Sequence, residues 1–294
     1  MKQINLIHPE KSDRRFDIIT FPDGEKHIKF HTEIYRKEEY NVLTRITSSD
    51  DLFILMQVGD ILNTNGVKWT LTIPYLMGMR MDRIISFQEP FTLRIVADVI
   101  NTLKPASVSV FHPHSERTLS EIKNSVEKIA SADEDVVPLF WGEMYEGCRK
   151  AICLPDKGAC LRKESEIASF DPGYPIDIII LNKLRDLITG RIMQIDFSED
   201  VDKNADYEEI LILDDLCDAG GTFVGAAELL RKTYPHARLG IYVKHMVNPV
   251  GIANLSKNYD EVYTTNSYKD WDKEMTLPEN VRCIDVISDF ESVR

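Results

Sequence analysis

"EEILILDDLCDAGGTFVGAAELL" occupies Glu208–Leu230, and the reading of the whole chain starts from it. An apolar run, Ile210–Leu213, closes on two adjacent acids, Asp214 and Asp215. Asp218, Ala219, Gly220, Gly221 and Thr222 follow, and then an amphipathic stretch begins. This pattern predicts a buried strand ending at Leu213, a tight turn, and a helix starting near Thr222. The acids then stand at the carboxyl edge of a strand, where open α/β sheets place ligands. Gly220 and Gly221 permit positive φ and close backbone approach. The N–H groups of the turn and the helix N-terminus form a cradle for a phosphate. Thr222 adds a hydroxyl and serves as the helix cap. Asp214 and Asp215 have a complementary task, since carboxylates accept hydrogen bonds from sugar hydroxyls. A phosphorylated sugar satisfies both halves of the motif. Acids that merely end a strand beside a generic turn are the plainer alternative. That alternative accounts for the glycines alone better than for acids, turn and threonine together.

Similar apolar runs recur along the chain. Ser107–Pro113, Pro175–Lys183 and Ala237–His245 are short, rich in Ile and Val, and bounded by turn residues, as buried parallel strands are. Between them lie helical stretches. In "EPFTLRIVADVINTL", Pro90 is expected at the first helical position, and Ile95, Val96, Val99, Ile100 and Leu103 form one apolar stripe. Strand–helix alternation predicts an α/β chain with mainly parallel sheets flanked by helices. An acidic stretch around "SADEDVVPLFWGEMYEG" marks a hinge between two α/β domains of similar size.

Composition bounds the function. The 294 residues suffice for one large or two ordinary domains, and 43% are hydrophobic. No uncharged apolar stretch reaches the roughly 18 residues of a membrane span, and the apolar run near Met1 is too short for a secretory signal. A cytoplasmic chain is expected. The net charge of −13 argues against broad binding to nucleic acid or to an anionic membrane, though not against small phosphorylated ligands. The five cysteines are an odd number without a C-x-x-C pair, which favours reduced thiols over disulfides or zinc.

Glu208–Leu230 also resembles the signature of the type I phosphoribosyltransferase-like fold. Further matches along the chain resemble one family with that fold, the ribose-phosphate pyrophosphokinases, or PRPP synthetases. "FPDGE", Phe21–Glu25, resembles the family's N-terminal signature, which reaches the ATP of a neighbouring subunit. Read on its own, that segment is a type I or type II turn. Asp50–Leu62 resembles the family's first-domain helix, and "IPYLMGMRMDR" with Glu89–Pro90 resembles its ATP-binding stretch. "VFHPHSE" aligns with a D-L-H segment, "LPDKGA" with the diphosphate loop and "NKLR" with the K-x-R of the catalytic loop. "VKHMVNP" and "VYTTNS" resemble the last strands, and "DVISDF" the terminal helix.

The resemblance implies two phosphoribosyltransferase-like domains, 1–142 joined by a helix in 280–294, and 143–279. It implies an ATP-dependent transfer of diphosphate to the 1-hydroxyl of ribose 5-phosphate, with Mg²⁺. The implied ATP contacts are Phe21, Asp23, Glu25, Arg80, Met81, Asp82, Arg83 and His114. Asp156, Lys157, Gly158 and Ala159 would hold the diphosphate, and Lys183 and Arg185 would be catalytic. Asp214, Asp215, Asp218, Ala219, Gly220, Gly221 and Thr222 would bind ribose and its phosphate. His114 and Asp156 would bind metal. A homo-oligomer is implied, built on dimers.

The chain departs from the pattern at several points. Ala219 replaces a hydroxyl residue, Met81 a glutamine and His112 an acid. Ile84, Ser86 and Gln88 replace basic residues, and Lys157 and Ala159 stand where smaller residues or glycine are usual. These changes keep two alternatives in view. One is the same transfer to ADP-ribose for NAD synthesis. The other is a regulatory subunit without activity.

Overall fold

The structure is a computed structural model, and it describes residues 1–130, 139–141, 148–156, 176–185 and 192–292. The chain forms two compact units, Met1–Ser131 with Asp285–Arg294, and Ala132–Ile284. Most of the expected hinge segment lies outside the described residues.

In the first unit the elements run β1 (Lys2–Asn5), β2 (Phe16–Thr20), β3 (Lys26–Phe30), β4 (Glu39–Leu43), α1 (Ser49–Thr64), β5 (Lys68–Ile73), α2 (Thr92–Leu103), β6 (Val108–Phe111), α3 (Glu116–Glu121) and β7 (Ser125–Lys128). The sheet has the order β1-β4-β5-β6-β7, and every pairing in it is parallel. Its strands are apolar on both faces because helices cover a parallel sheet, and Val42, Ile73, Val108 and Val110 are wholly buried. A capping box starts α1: the Ser48 hydroxyl accepts from the Asp51 N–H while the Asp51 carboxylate accepts from the Ser48 N–H.

Helix α2 corrects two expectations. It begins at Thr92 after Phe91, so Pro90 precedes the helix and is not its first residue. Its buried face is Leu93, Val96, Ala97, Ile100 and Leu103, while Ile95 is 56% exposed. Positions three and four apart share a helix face, and Ile95 lies off the row that Leu93 begins.

The second unit contains β8 (Lys150–Leu154), β9 (Asp177–Arg185), β10 (Ile192–Phe197), β11 (Glu209–Cys217), α4 (Gly221–Thr233), β12 (Arg238–Met246), α5 (Pro249–Asn258), β13 (Glu261–Thr265), α6 (Trp271–Glu274) and β14 (Val281–Ile284). The sheet order is β10-β9-β8-β11-β12-β13-β14, and all pairings are parallel except β10 with β9. Ile210 and Ile212 face one core with Ala226, Ala227 and Leu230 of α4. Leu211 and Leu213 face the other, with Phe140, Trp141 and Tyr242. Cys148, Cys153, Cys217 and Cys283 are free thiols, and Cys160 lies outside the described residues. Among the described residues, no helix is long and apolar enough to cross a membrane.

The last helix, α7 (Ile287–Glu291), belongs to the first unit. Its Phe290 packs edge-on against Phe111. Glu291 accepts from Asn5 Nδ2 at 2.9 Å and Lys11 Nζ at 2.6 Å, and meets His8 Nδ1 at 2.6 Å. Burial by itself raises the Glu291 carboxyl, but the Lys11, His8 and Asn5 hydrogen bonds outweigh it and hold the group below the ordinary carboxylate value. A depressed folded value means stability that is present above about pH 4.3 and lost as pH falls through the folded value. Glu291→Gln is therefore expected to lower the melting temperature at pH 7, with the gap to wild type closing below about pH 4. A gap independent of pH would show that the carboxylate charge is not what ties α7 down.

Candidate functional site

In the second unit the motif that opens at Glu208 folds as strand, turn and helix, with two corrections. Strand β11 continues past Leu213 to Cys217, so Asp214 and Asp215 lie within the strand. The cause is pairing: β12 runs to Met246, and Asp214, Leu216 and Cys217 stay in register with Val243, His245 and Met246. Helix α4 begins at Gly221, with Gly220 as its N-cap and no side-chain cap, so Thr222 lies inside the helix. Both acids are buried, each 8% exposed. The Asp214 Oδ1 accepts from the Asp215 N–H at 2.9 Å.

Gly220 takes a left-handed conformation, φ 82°, which glycine adopts without strain. Its carbonyl accepts from both the Phe223 and Val224 N–H groups at 3.0 Å. The amides of Ala219, Gly220, Gly221 and Thr222 have no acceptor within the described residues. A helix N-terminus after such a turn carries partial positive charge and suits an anion. Helix α5 backs the turn. Asn254 Nδ2 donates to the Ala219 carbonyl at 2.9 Å, and Asn248 Nδ2 donates to Asp218 Oδ1 at 2.9 Å. Neither asparagine is among the sequence-predicted residues. The N-P sequence at Asn248 marks a helix start but gives no hint of the bond to Asp218.

Lys183 lies near the end of β9, opposite Ile195 of the antiparallel β10. Its ammonium is paired with the Asp156 carboxylate, two residues beyond β8. Both side chains are partly exposed, at 24% and 21%, so the pair is open to a ligand. Two residues assigned independently from the sequence are thus brought into contact. Arg185 is the last residue of β9. Lys157, Gly158 and Ala159 lie outside the described residues.

In the first unit, Phe21–Glu25 is the tip of the β2–β3 hairpin. The Gly24 N–H donates to the Phe21 carbonyl at 2.9 Å, and Gly24 has φ 92°. Asp23 has negative φ, which makes the turn type I with glycine in the following left-handed position. Phe21 is 43% exposed at this tip. Arg80 is exposed and Met81 half-buried. Asp82 is buried at 6%, and its carboxylate accepts from Ser115 Oγ at 2.8 Å and Arg83 Nε at 2.9 Å. Burial alone raises that carboxyl, but the Arg83 and Ser115 hydrogen bonds, with the nearby His114, bring it below the ordinary value. Asp82 therefore ties the Arg80–Arg83 segment to the loop that carries His114. Ser115 was not among the sequence-predicted residues, although its position before α3 marks it as a helix start. His112 takes φ 37° and sits 3.2 Å from Glu127 through Nδ1.

Among the described residues there is no group of three or more His, Cys, Asp and Glu able to enclose a metal. A hard cation such as Mg²⁺ keeps most of its waters and uses one or two carboxylates. Asp156 offers a suitable oxygen, whereas the His114 nitrogen is a weaker match for a hard cation.

The chain is 30% identical over 258 residues to the ribose-phosphate pyrophosphokinase of Pyrococcus furiosus, covering 85% of each chain. It is 25% identical over 284 residues to the enzyme of the same name from Sulfolobus acidocaldarius, covering 93% of this chain and 88% of that one. No family model matches. Among solved structures, phosphoribosylpyrophosphate synthetase from Mycobacterium smegmatis superposes with a TM-score of 0.76 at 19% identity, over 99% of this chain and 97% of that one.

Proposed function

This chain belongs to the ribose-phosphate pyrophosphokinase family of transferases, and we propose that it moves the β,γ-diphosphate of ATP onto the 1-hydroxyl of ribose 5-phosphate, releasing AMP. The observation that carries this reading is the Asp214–Thr222 segment, where two buried acids adjoin four amides that have no acceptor among the described residues. The amides take the 5-phosphate, and Asp214 and Asp215 accept from the ribose hydroxyls. The 1-oxygen forms a bond to the β-phosphorus while the bond from that phosphorus to the oxygen bridging the α-phosphate breaks. That oxygen leaves with AMP, and the proton of the hydroxyl is released to solvent. Such transfers depend on alignment and on stabilising charge rather than on covalent help from the protein. Lys183 supplies the charge at the transferring group, with Arg185 beside it in sequence. Arg80, Arg83 and His114 hold the nucleotide, and the Phe21–Glu25 turn of a neighbouring subunit completes its site in a homo-oligomer. Asp156 in the second unit and His114 in the first are each a candidate Mg²⁺ ligand, and a bound ion would neutralise phosphate charge.

One observation favours a second acceptor. Ala219 is exposed in the phosphate turn and has no hydroxyl to donate to a phosphate oxygen. A 5-phosphate esterified on one side carries less charge and needs fewer donors, as in ADP-ribose. The deciding experiment incubates the protein with ATP, Mg²⁺ and either acceptor. AMP and PRPP in equal amounts are expected with ribose 5-phosphate. AMP with ADP-ribose only would replace the first acceptor by the second. Absence of AMP with both would overturn the reading and leave a regulatory subunit.

A further inference from the structure

The carbonyl side of the phosphate turn's backbone is engaged by helix α5. The Ala219 carbonyl accepts from Asn254 Nδ2 at 2.9 Å. The Asp218 carbonyl also faces α5, because a Cβ built on Gly251 would lie 2.1 Å from it, and Cys217 Sγ lies 3.3 Å from the same oxygen. Trans peptide units point their C=O and N–H in opposite directions, and the described chain contains no cis bond. Two consecutive carbonyls directed at α5 therefore direct the Ala219 and Gly220 N–H groups away from it, to one side. Successive N–H groups facing one side form an anion-binding concavity. Asn248 adds a second tie: its Oδ1 accepts from the Val250 N–H at 2.9 Å to cap α5, while its Nδ2 donates to the Asp218 carboxylate at 2.9 Å. That bond keeps one acidic oxygen turned toward α5.

We infer that Asn254 and Asn248 are positioning residues for phosphate recognition, and that α5 sets how well the Ala219 and Gly220 amides grip the acceptor. The inference rests on reading this turn as the acceptor's phosphate site. It explains how a turn with alanine at position 219 keeps a defined geometry: the asparagine amide orders the peptide from behind.

The test is Asn254→Asp, which keeps the size of the side chain and replaces the donor by an acceptor facing a carbonyl, with Asn248→Ala as an independent second variant. The Michaelis constant for ribose 5-phosphate is expected to rise about 5- to 20-fold in Asn254→Asp, the loss of roughly one hydrogen bond's ordering. The Michaelis constant for ATP is expected to stay within about twofold. Thermal melts accompany both variants. Unchanged ribose 5-phosphate constants in both variants, with a saturable wild type, would overturn the positioning role. Equal losses toward ATP and ribose 5-phosphate would also overturn it, because they mark a general structural defect. A wild type that makes AMP but does not saturate with ribose 5-phosphate would remove the phosphate site itself, and the inference with it.

Discussion

Lys183→Ala is expected to reduce turnover by about 10²- to 10³-fold, the usual loss when one charge-stabilising donor is removed from a transferring group. In the proposed role the lysine acts on charge that develops during the transfer rather than on bound ATP, so nucleotide affinity should change by less than about threefold. The structure sharpens the expectation. Lys183 is on a paired strand and its ammonium rests on the Asp156 carboxylate, so it is held near the segment assigned to the diphosphate. Removing it also takes away the ammonium that faces Asp156, where the diphosphate is proposed to lie. Lys183→Arg restores the charge on a planar head with different reach and should recover only part of the rate. Single-turnover kinetics with the two variants decide the matter. Turnover of Lys183→Ala within about threefold of wild type would remove Lys183 from the chemistry.

Gly251→Ala is expected to damage both stability and acceptor binding. The added Cβ would lie 2.1 Å from the Asp218 carbonyl oxygen, 3.0 Å from Cys217 Sγ and 3.0 Å from Met246 Sδ. The first neighbour is backbone and cannot rotate aside, so either α5 or the turn must move. Overpacking of this kind costs about 1–3 kcal/mol. The alanine's better helix propensity offsets under about 1 kcal/mol of it. If the turn gives way, the Ala219 and Gly220 amides lose their common direction, and the Michaelis constant for ribose 5-phosphate rises together with the fall in melting temperature. A calorimetric melt combined with acceptor kinetics checks both. Gly251→Ala with wild-type melting and wild-type acceptor kinetics would show that α5 does not press on the turn.

Much of the fold is legible in the chain itself. Apolar runs such as Ile210–Leu213 and Leu239–Val243 specify buried strands, because few other structures accept several consecutive buried aliphatic residues in so short a stretch. Gly220 announces the turn, since its left-handed backbone excludes most other residues. The contact between Lys183 and Asp156 matches two segments singled out separately by sequence. Other features depart from the local pattern for identifiable physical reasons. The strand was expected to stop at the first acid, but pairing with β12 continues it to Cys217, and a ladder of hydrogen bonds outweighs the poor strand preference of Asp. Ile95 was assigned to the buried stripe of α2, although a row beginning at Leu93 leaves it facing outward.

The amino-acid sequence by itself determined the alternation of strand and helix, the acid pair with its glycine turn, and the family, because each is encoded in neighbouring residues. Tertiary structure alone decided which distant groups tie down the segments singled out in each unit. Asn254 lies 35 positions from Ala219, Asn248 lies 30 from Asp218, and Ser115 lies 33 from Asp82. Asparagine and serine are common on helices and loops, and their local spacing carries no sign of a distant carbonyl or carboxylate. Only the crossover from β12 into α5 brings those amides behind the turn, and only the placement of β6 and its following loop brings a hydroxyl to the buried Asp82. Hydrogen bonds of that range depend on how the chain returns on itself, which is a property of topology and not of any single stretch of sequence.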